Sequence, residues 1–422
     1  VLGGCSGQQN TATLSANSAG QSSGGADNAG SSGSPVDAAG AAYTAGAGSA
    51  SGGASGGSEP SSAGGPAASA GSAGAALAGQ GGSAAGGTSG APNTGGADAS
   101  DSVPLNPALL SECTGTNPIV CAFDAPNGNY DVTAEVGDPA QAATSRLSAE
   151  TLHYQGPAVE TAAGVFQKLT FTVNVRMERH DGGQSAPGNI LDIMISGTSA
   201  PPKLHGVGFR AATSSTTLFY AGDSTACDWV DSNTSNLGPG ETGSAQALSM
   251  YLKPGVAVAN YADSGETAGS FYSKFFDPYA TSLFKEGDFV FVQFGTNDSK
   301  DLATTANGGK VYKDDLMKYV TAARAKNAIP VILTPVSRKG GTAADPGFQG
   351  LDQAARDFAA AQNVALIDMT VLSRAYYASV TDKDALFVDS GTHFSELGAT
   401  GVAGTLAKAI QGSTLALRAF VK

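Results

Sequence analysis

From residue 213 to the C-terminus the chain alternates short apolar runs with stretches of helical period, and that pattern leaves few folds open. The apolar runs span 217–221, 256–261, 288–294, 329–334 and 364–368. Helical periodicity covers 312–326, 351–362 and 396–410, and in the last of these Leu397, Val402, Leu406 and Ile410 are expected to line an inner stripe. Strands separated by helices predict an α/β domain built on a doubly wound parallel sheet, buried on both faces. Such sheets place ligands beyond the carboxyl ends of their strands. Gly222-Asp223-Ser224-Thr225 follows the first run and Gly295-Thr296-Asn297-Asp298 follows the third, so both lie where that rule puts a site.

The residue types at those ends suit acyl transfer. A serine hydroxyl is a weak nucleophile until a base accepts its proton. His393 is the one histidine after residue 205, so it is the expected base for Ser224. An imidazole in that role needs an acceptor on its other nitrogen, and Asp389 is the nearest upstream carboxylate. Charge developing on a carbonyl oxygen needs fixed donors. The backbone N–H groups of Ser224 and Gly265 and the side-chain amide of Asn297 are of the right type, with Gly255 and Gly269 as neighbouring alternatives to Gly265. Asp223 is expected to organise its turn by hydrogen bonds. Trp229, the only tryptophan, is either a core anchor beside a first helix or a wall for a sugar ring. From residue 104 onward the chain has no Gly-x-Ser-x-Gly elbow, and it has no His-Glu-x-x-His, no P-loop and no dinucleotide fingerprint set between an apolar run and a helical stretch.

These blocks, in this order, resemble the SGNH hydrolase superfamily: Ser224, Gly265, Asn297 and His393 match its four namesake positions. Thr225 after the serine resembles the rhamnogalacturonan acetylesterase branch. The resemblance implies a flavodoxin-like sheet and a serine esterase with Ser224, His393 and Asp389 as catalytic residues. It implies an oxyanion hole from Ser224, Gly265 and Asn297, with no cofactor and no metal. The implied substrate is an acetylated plant polysaccharide such as rhamnogalacturonan; acetyl xylan or lipid esters are the alternative, and a non-catalytic glycan-binding lipoprotein is a further one. Two features depart from the family pattern. The acid lies four residues before the histidine rather than three, so either the loop absorbs the extra residue or the site works as a dyad. Glu266 stands where basic residues often follow the second block.

Residues 104–212 read differently. Leu169, Phe171, Val173 and Val175 alternate with Thr170, Thr172, Asn174 and Arg176, as in a half-buried strand. Residues 188–195 form another strand candidate, and Asn127-Gly128 is a turn signal between two short runs. An antiparallel β-sandwich is expected. The stretch from Phe123-Asp124 to Gly137-Asp138 resembles the galactose-binding-like jelly roll of two-domain rhamnogalacturonan acetylesterases, expected here to brace the second domain. His153, His180 and His205 are expected to be surface or satisfied core histidines.

From residue 6 to 103 the chain is mostly Gly, Ala and Ser, and no Lys or Arg precedes Arg146. Such a segment cannot bury enough apolar surface to offset its ordering entropy, so it is expected to be a disordered tether. About 95 residues of Gly-rich coil span roughly 50–60 Å. Residues 1–5, Val1-Leu2-Gly3-Gly4-Cys5, resemble the lipobox of bacterial lipoproteins, which implies a signal peptide and lipid on Cys5. The expectation is a bacterial envelope protein, outer-membrane or surface anchored through Cys5 alone. Cys113 and Cys121 can pair in an oxidising compartment, and Cys227 is expected to be buried on a helix after Ser224. A net charge of −13 argues against nucleic acid as a partner, and a monomer is expected.

Overall fold

The first strands of the chain build a sandwich, and the later ones build a sheet that the sandwich braces. The computed structural model describes residues 102–150, 152–179, 186–229, 240–301 and 307–422, all within the unit Thr88–Lys422. The expected lipobox with Cys5, nearly all of the tether, and His180 lie outside the described residues.

One sandwich sheet contains β1 (Cys113–Thr114), β2 (Ile119–Asp124), β4 (Ala143–Ala149), β5 (His153–Tyr154), β6 (Val159–Thr161) and β8 (Ile190–Ser196). Its order is β1-β2-β8-β4-β5, with β6 also on β4. The other sheet has β3 (Gly128–Gly137) at its centre, between β7 (Phe166–Val175) and β9 (Leu204–Ala211). Every pairing is antiparallel. Phe123, Val132, Phe171, Val173, Leu191 and Ile193 fill the space between the sheets. Cys113 and Cys121 face each other across β1 and β2 and are joined as a disulfide.

The expected turn at Asn127-Gly128 lies between two strands and carries the chain from one sheet to the other, since β2 pairs with β1 and β8 whereas β3 pairs with β7 and β9. One sandwich expectation needs correction: β7 is not half-buried along its length, since its residues from Phe171 to Val175 are buried on both faces. Its polar face meets the next sheet instead of water. Thr172 Oγ1 accepts from the Gly255 N–H at 2.8 Å, and the Arg176 guanidinium donates to the Asn260 carbonyl at 2.7 Å.

The five remaining strands are β10 (Thr216–Gly222), β11 (Val256–Asn260), β12 (Phe289–Gln293), β13 (Ile329–Leu333) and β14 (Ala365–Ile367). Their order is β11-β10-β12-β13-β14, all parallel. That is the doubly wound order 2-1-3-4-5 of flavodoxin-like folds. Successive residues alternate between the two cores: Leu218 and Tyr220 point to one face, Phe219 and Ala221 to the other. Burial on both faces is why these strands read as unbroken apolar runs.

Helices cover the sheet at Gly308–Arg324, Leu351–Gln362, Met369–Ser379 and Glu396–Gln411. The third was not legible as a period in the sequence. In the last, Val402, Leu406 and Ile410 are buried but Leu397 is 56% exposed. Five residues at 3.6 per turn put Leu397 about 140° from Val402, and Gly398 and Ala399 take the inner position instead.

Candidate active site

Strand register brings the separated blocks to one rim. Gly222 at the end of β10 pairs with Gln293 at the end of β12, and Tyr220 pairs with Asn260 at the end of β11. Ser224, Gly265 and Asn297 therefore all lie just past carboxyl ends of adjacent strands. His393 arrives from the far end of the chain. A short paired segment holds it, in which Phe387 bridges Phe394 and the Val388 N–H donates to the His393 carbonyl at 3.0 Å.

The turn after β10 is organised by Asp223, as its type suggested. Its Oδ1 accepts from the Thr225 N–H at 3.0 Å and from the Thr225 hydroxyl at 2.7 Å. Thr225 Oγ1 in turn accepts from Gln293 Nε2 at 3.0 Å, tying the turn to β12. Residues 223–229 form a turn rather than the expected helix. Cys227 is buried there, and burial followed by neighbouring carboxylates pushes its thiol well up.

The serine, the histidine and the acid meet. Ser224 Oγ lies 2.9 Å from His393 Nε2, and Asp389 Oδ2 lies 2.7 Å from His393 Nδ1. With an ionised carboxylate on Nδ1 that nitrogen must donate, which leaves Nε2 as the acceptor for the serine hydroxyl. The extra residue between Asp389 and His393 is absorbed locally. Asp389 Oδ1 accepts the N–H groups of Gly391, Thr392 and His393 at 2.8, 2.7 and 3.1 Å. Gly391 permits this curl with φ +129, where a Cβ would also come within 2.5 Å of the Lys339 side chain. Burial alone would raise the Asp389 pKa, but those three donors and the His393 ring hold it down to about 2. Trp229 packs as a core anchor, 6% exposed, with its indole N–H on the Ser224 carbonyl at 3.0 Å and its ring edge-on to His393.

The Asn297 amide is held against the segment that carries Gly265. Asn297 Oδ1 accepts from Lys300 Nζ at 2.9 Å and its Nδ2 donates to the Glu266 carbonyl at 3.0 Å, which fixes the orientation of the amide. Gly265 is exposed with φ +82, and a Cβ built there would meet nothing within 4 Å. Glycine is needed at that position for backbone conformation, not for space. A hydroxyl on a neutral imidazole backed by a carboxylate, beside backbone and amide N–H groups, can attack a carbonyl and hold the resulting oxyanion. Among the described residues, no group of three His, Cys, Asp or Glu side chains is placed to hold a metal ion.

Residues 220–400 match the GDSL-like lipase/acylhydrolase family. Over 206 residues the chain is 30% identical to the probable rhamnogalacturonan acetylesterase YesY of Bacillus subtilis (strain 168), an alignment covering 46% of this chain and 92% of that protein. The chain belongs to the GDSL-like lipase/acylhydrolase family. It is also 27% identical over 220 residues to the rhamnogalacturonan acetylesterase RhgT of the same organism, covering 48% of this chain and 92% of RhgT. A longer alignment, 304 residues at 25% identity, covers 66% of this chain and 71% of the uncharacterized esterase YxiM, also from B. subtilis.

Within this GDSL-like domain three acidic residues matter in ways their sequence context did not reveal. Glu266 is internally paired, through Lys274 at 2.8 Å and the Ser270 hydroxyl, so it is not a free carboxylate facing a substrate. Asp298 is buried and accepts the Ala268 N–H at 3.0 Å, which joins the Asn297 block to the short helix after Gly265; burial pushes its pKa up to about 7. Glu241 lies beside His393 with its side chain fully buried. The clue for Asp298 was its place in the Gly-x-Asn-Asp block, whereas Glu241 carried no local signal. Among the three upstream histidines, His153 is a satisfied core residue, 2.7 Å from Asp228, and His205 is exposed beside Glu135 and Phe166.

Proposed function

We propose that this protein is a carbohydrate esterase that removes acetyl groups from rhamnogalacturonan or a related pectic polysaccharide. The observation that carries the reading is the hydrogen-bonded series Asp389–His393–Ser224, at 2.7 and 2.9 Å. The names of YesY and RhgT support the substrate class.

In the proposed cycle His393 Nε2 takes the proton of Ser224 as Oγ bonds to the acetyl carbonyl carbon. The carbonyl oxygen becomes an oxyanion held by the N–H groups of Ser224 and Gly265 and by the Asn297 amide. The C–O bond to the sugar then breaks, and His393 returns its proton to the sugar oxygen. Water, deprotonated by His393, attacks the acetyl-enzyme; acetate leaves and Ser224 regains its proton. In each half of the cycle the positive charge gained by the imidazole matches the negative charge of the oxyanion, and Asp389 keeps the ring in one tautomer.

The lipobox-like Val1-Leu2-Gly3-Gly4-Cys5 supports a lipid-anchored location on the bacterial envelope. No described helix is long and apolar enough to cross a membrane.

The test is acetate release from acetylated rhamnogalacturonan, acetyl xylan and p-nitrophenyl acetate, with wild type and Ser224→Ala. The expected result is highest kcat/KM on the pectic substrate and a loss of roughly 10⁴-fold or more in the variant. Preference for acetyl xylan would move the substrate assignment. Activity independent of Ser224 would overturn the mechanism.

A further inference from the structure

His393 has a second carboxyl group beside it. Glu241 Oε1 lies 3.9 Å from Nδ1, the nitrogen that already donates to Asp389. The Glu241 side chain has no exposed surface, and neither of its carboxyl oxygens has a hydrogen-bond partner. A buried polar group without a partner is costly and calls for a reason. Its backbone is not free to move away, because Glu241 bridges Ser395 and the adjacent Thr242 N–H donates to the Phe394 carbonyl at 3.0 Å. Both flank the histidine, so the segment holding the glutamate and the loop carrying the base are one structural piece.

We infer that Glu241 is a positioning residue for the acyl-transfer reaction, whose negative charge, when present, strengthens His393 as a base and stabilises the imidazolium formed as Ser224 attacks. The inference rests on the reading of Ser224 and His393 given above. Asp389 already supplies one charge, and its two oxygens are occupied by three backbone N–H groups and the ring. Glu241 has no such donors, so no hydrogen bond compensates its charge beside the imidazole.

The surrounding groups define when that charge exists. Asp389 and His393 face it from the C-terminal loop, and the buried Cys227 thiol feels it from the turn after Ser224. On the sandwich side, the ring of Tyr154 is covered by Arg146, itself paired with Glu396 at 2.8 Å. Burial, and then repulsion from Asp389, push the Glu241 pKa up to about 7. The carboxyl is therefore mostly neutral in mild acid and ionised in mild base. Two groups this close titrate as a pair, and the imidazole should report both steps.

The experiment is an NMR titration of the His393 ring in wild type, Glu241→Gln and Glu241→Asp, alongside kcat/KM from about pH 5 to 9. In wild type the His393 signals should titrate in two steps. In E241Q a single step should remain, its midpoint lower by about one unit. The same variant should lose on the order of tenfold in kcat/KM above pH ~7.5 and little below pH ~6. E241D keeps the charge and should recover part of both effects. Identical single-step titrations in wild type and E241Q would overturn the inference, as would a tenfold loss that is uniform across pH. If E241Q does not fold, a one-step titration of wild type alone is sufficient to refute it. A shifted titration in a protein that cleaves no ester would defeat the proposed function and with it the role in acyl transfer, leaving only the coupling of Glu241 to the His393 ring.

Discussion

Arg176 is the residue whose loss the fold should tolerate least. It lies just beyond β7, its side chain is fully buried, and it joins the sandwich to the parallel sheet. Its Nε donates to Glu178 at 2.7 Å, and its Nη2 donates to the Asn260 carbonyl at 2.7 Å and to Asp228 at 3.4 Å. Burial alone would favour a neutral guanidine, yet Glu178 and Asp228 more than offset it and raise its pKa. Arg176→Met keeps much of the volume and removes the charge, leaving two buried carboxylates without it. Unit charges about 4 Å apart at an effective dielectric near 20 interact by ~4 kcal/mol, and breaking a buried pair typically costs about 3–5 kcal/mol. Asp228 keeps His153 at 2.7 Å and Asn260 Nδ2 at 2.7 Å, which argues for the lower end. For a unit of this size ~3 kcal/mol lowers Tm by roughly 4–5 °C. Urea unfolding followed by the fluorescence of Trp229, the only tryptophan, measures the change. Activity should fall as well, since Asp228 is held four residues past Ser224. Adding Glu178→Gln to the variant should restore part of the stability. A midpoint for R176M within about 1 kcal/mol of wild type would refute the claim that this ion cluster joins the two layers.

Stability should peak in mild acid. Glu241 and Asp298 are each pushed up to about 7 by burial, so between roughly pH 4 and 7 the folded state holds more protons than the unfolded one. Stability must fall across that window, by on the order of 3 kcal/mol per group. Asp389, held down to about 2, acts in the opposite sense, and its contribution is lost as pH drops from about 4 to 2. Calorimetry should give a higher Tm at pH 5 than at pH 8; a Tm that rises steadily over that range contradicts the assignments. Asn297→Ala should reduce kcat by ~10²–10³ with a nearly unchanged KM, and a drop confined to KM would remove it from the oxyanion site. Replacing Cys113 and Cys121 with serine opens a loop with a sequence separation of 8 and should cost about 2–3 kcal/mol, read as a shift in urea midpoint with esterase activity retained after refolding.

Much of this protein is readable one segment at a time. Ile329–Leu333 and Leu351–Gln362 declare themselves by apolar run length and helical period, because burial on both faces or on one stripe is written into neighbouring side chains. Ser224, Asn297 and His393 are legible because each stands in a short block beside a strand end or as the lone imidazole of its domain. Other properties appear only after assembly. Whether Asp389 reaches the imidazole depended on a backbone curl at Gly391. The alternation in β7 foretold one wet face, and the edge strand β11 covered it. Arg176 reads as an outward-facing strand residue until Asn260, 84 positions away, and Asp228 close around it. Glu241 stands in no motif, and its significance comes from lying dry and unpaired against a histidine over 150 residues further on. Periodicity and turn chemistry are short-range properties that sequence specifies directly. Desolvation and charge pairing belong to groups distant along the chain, and only the folded arrangement decides which of them meet.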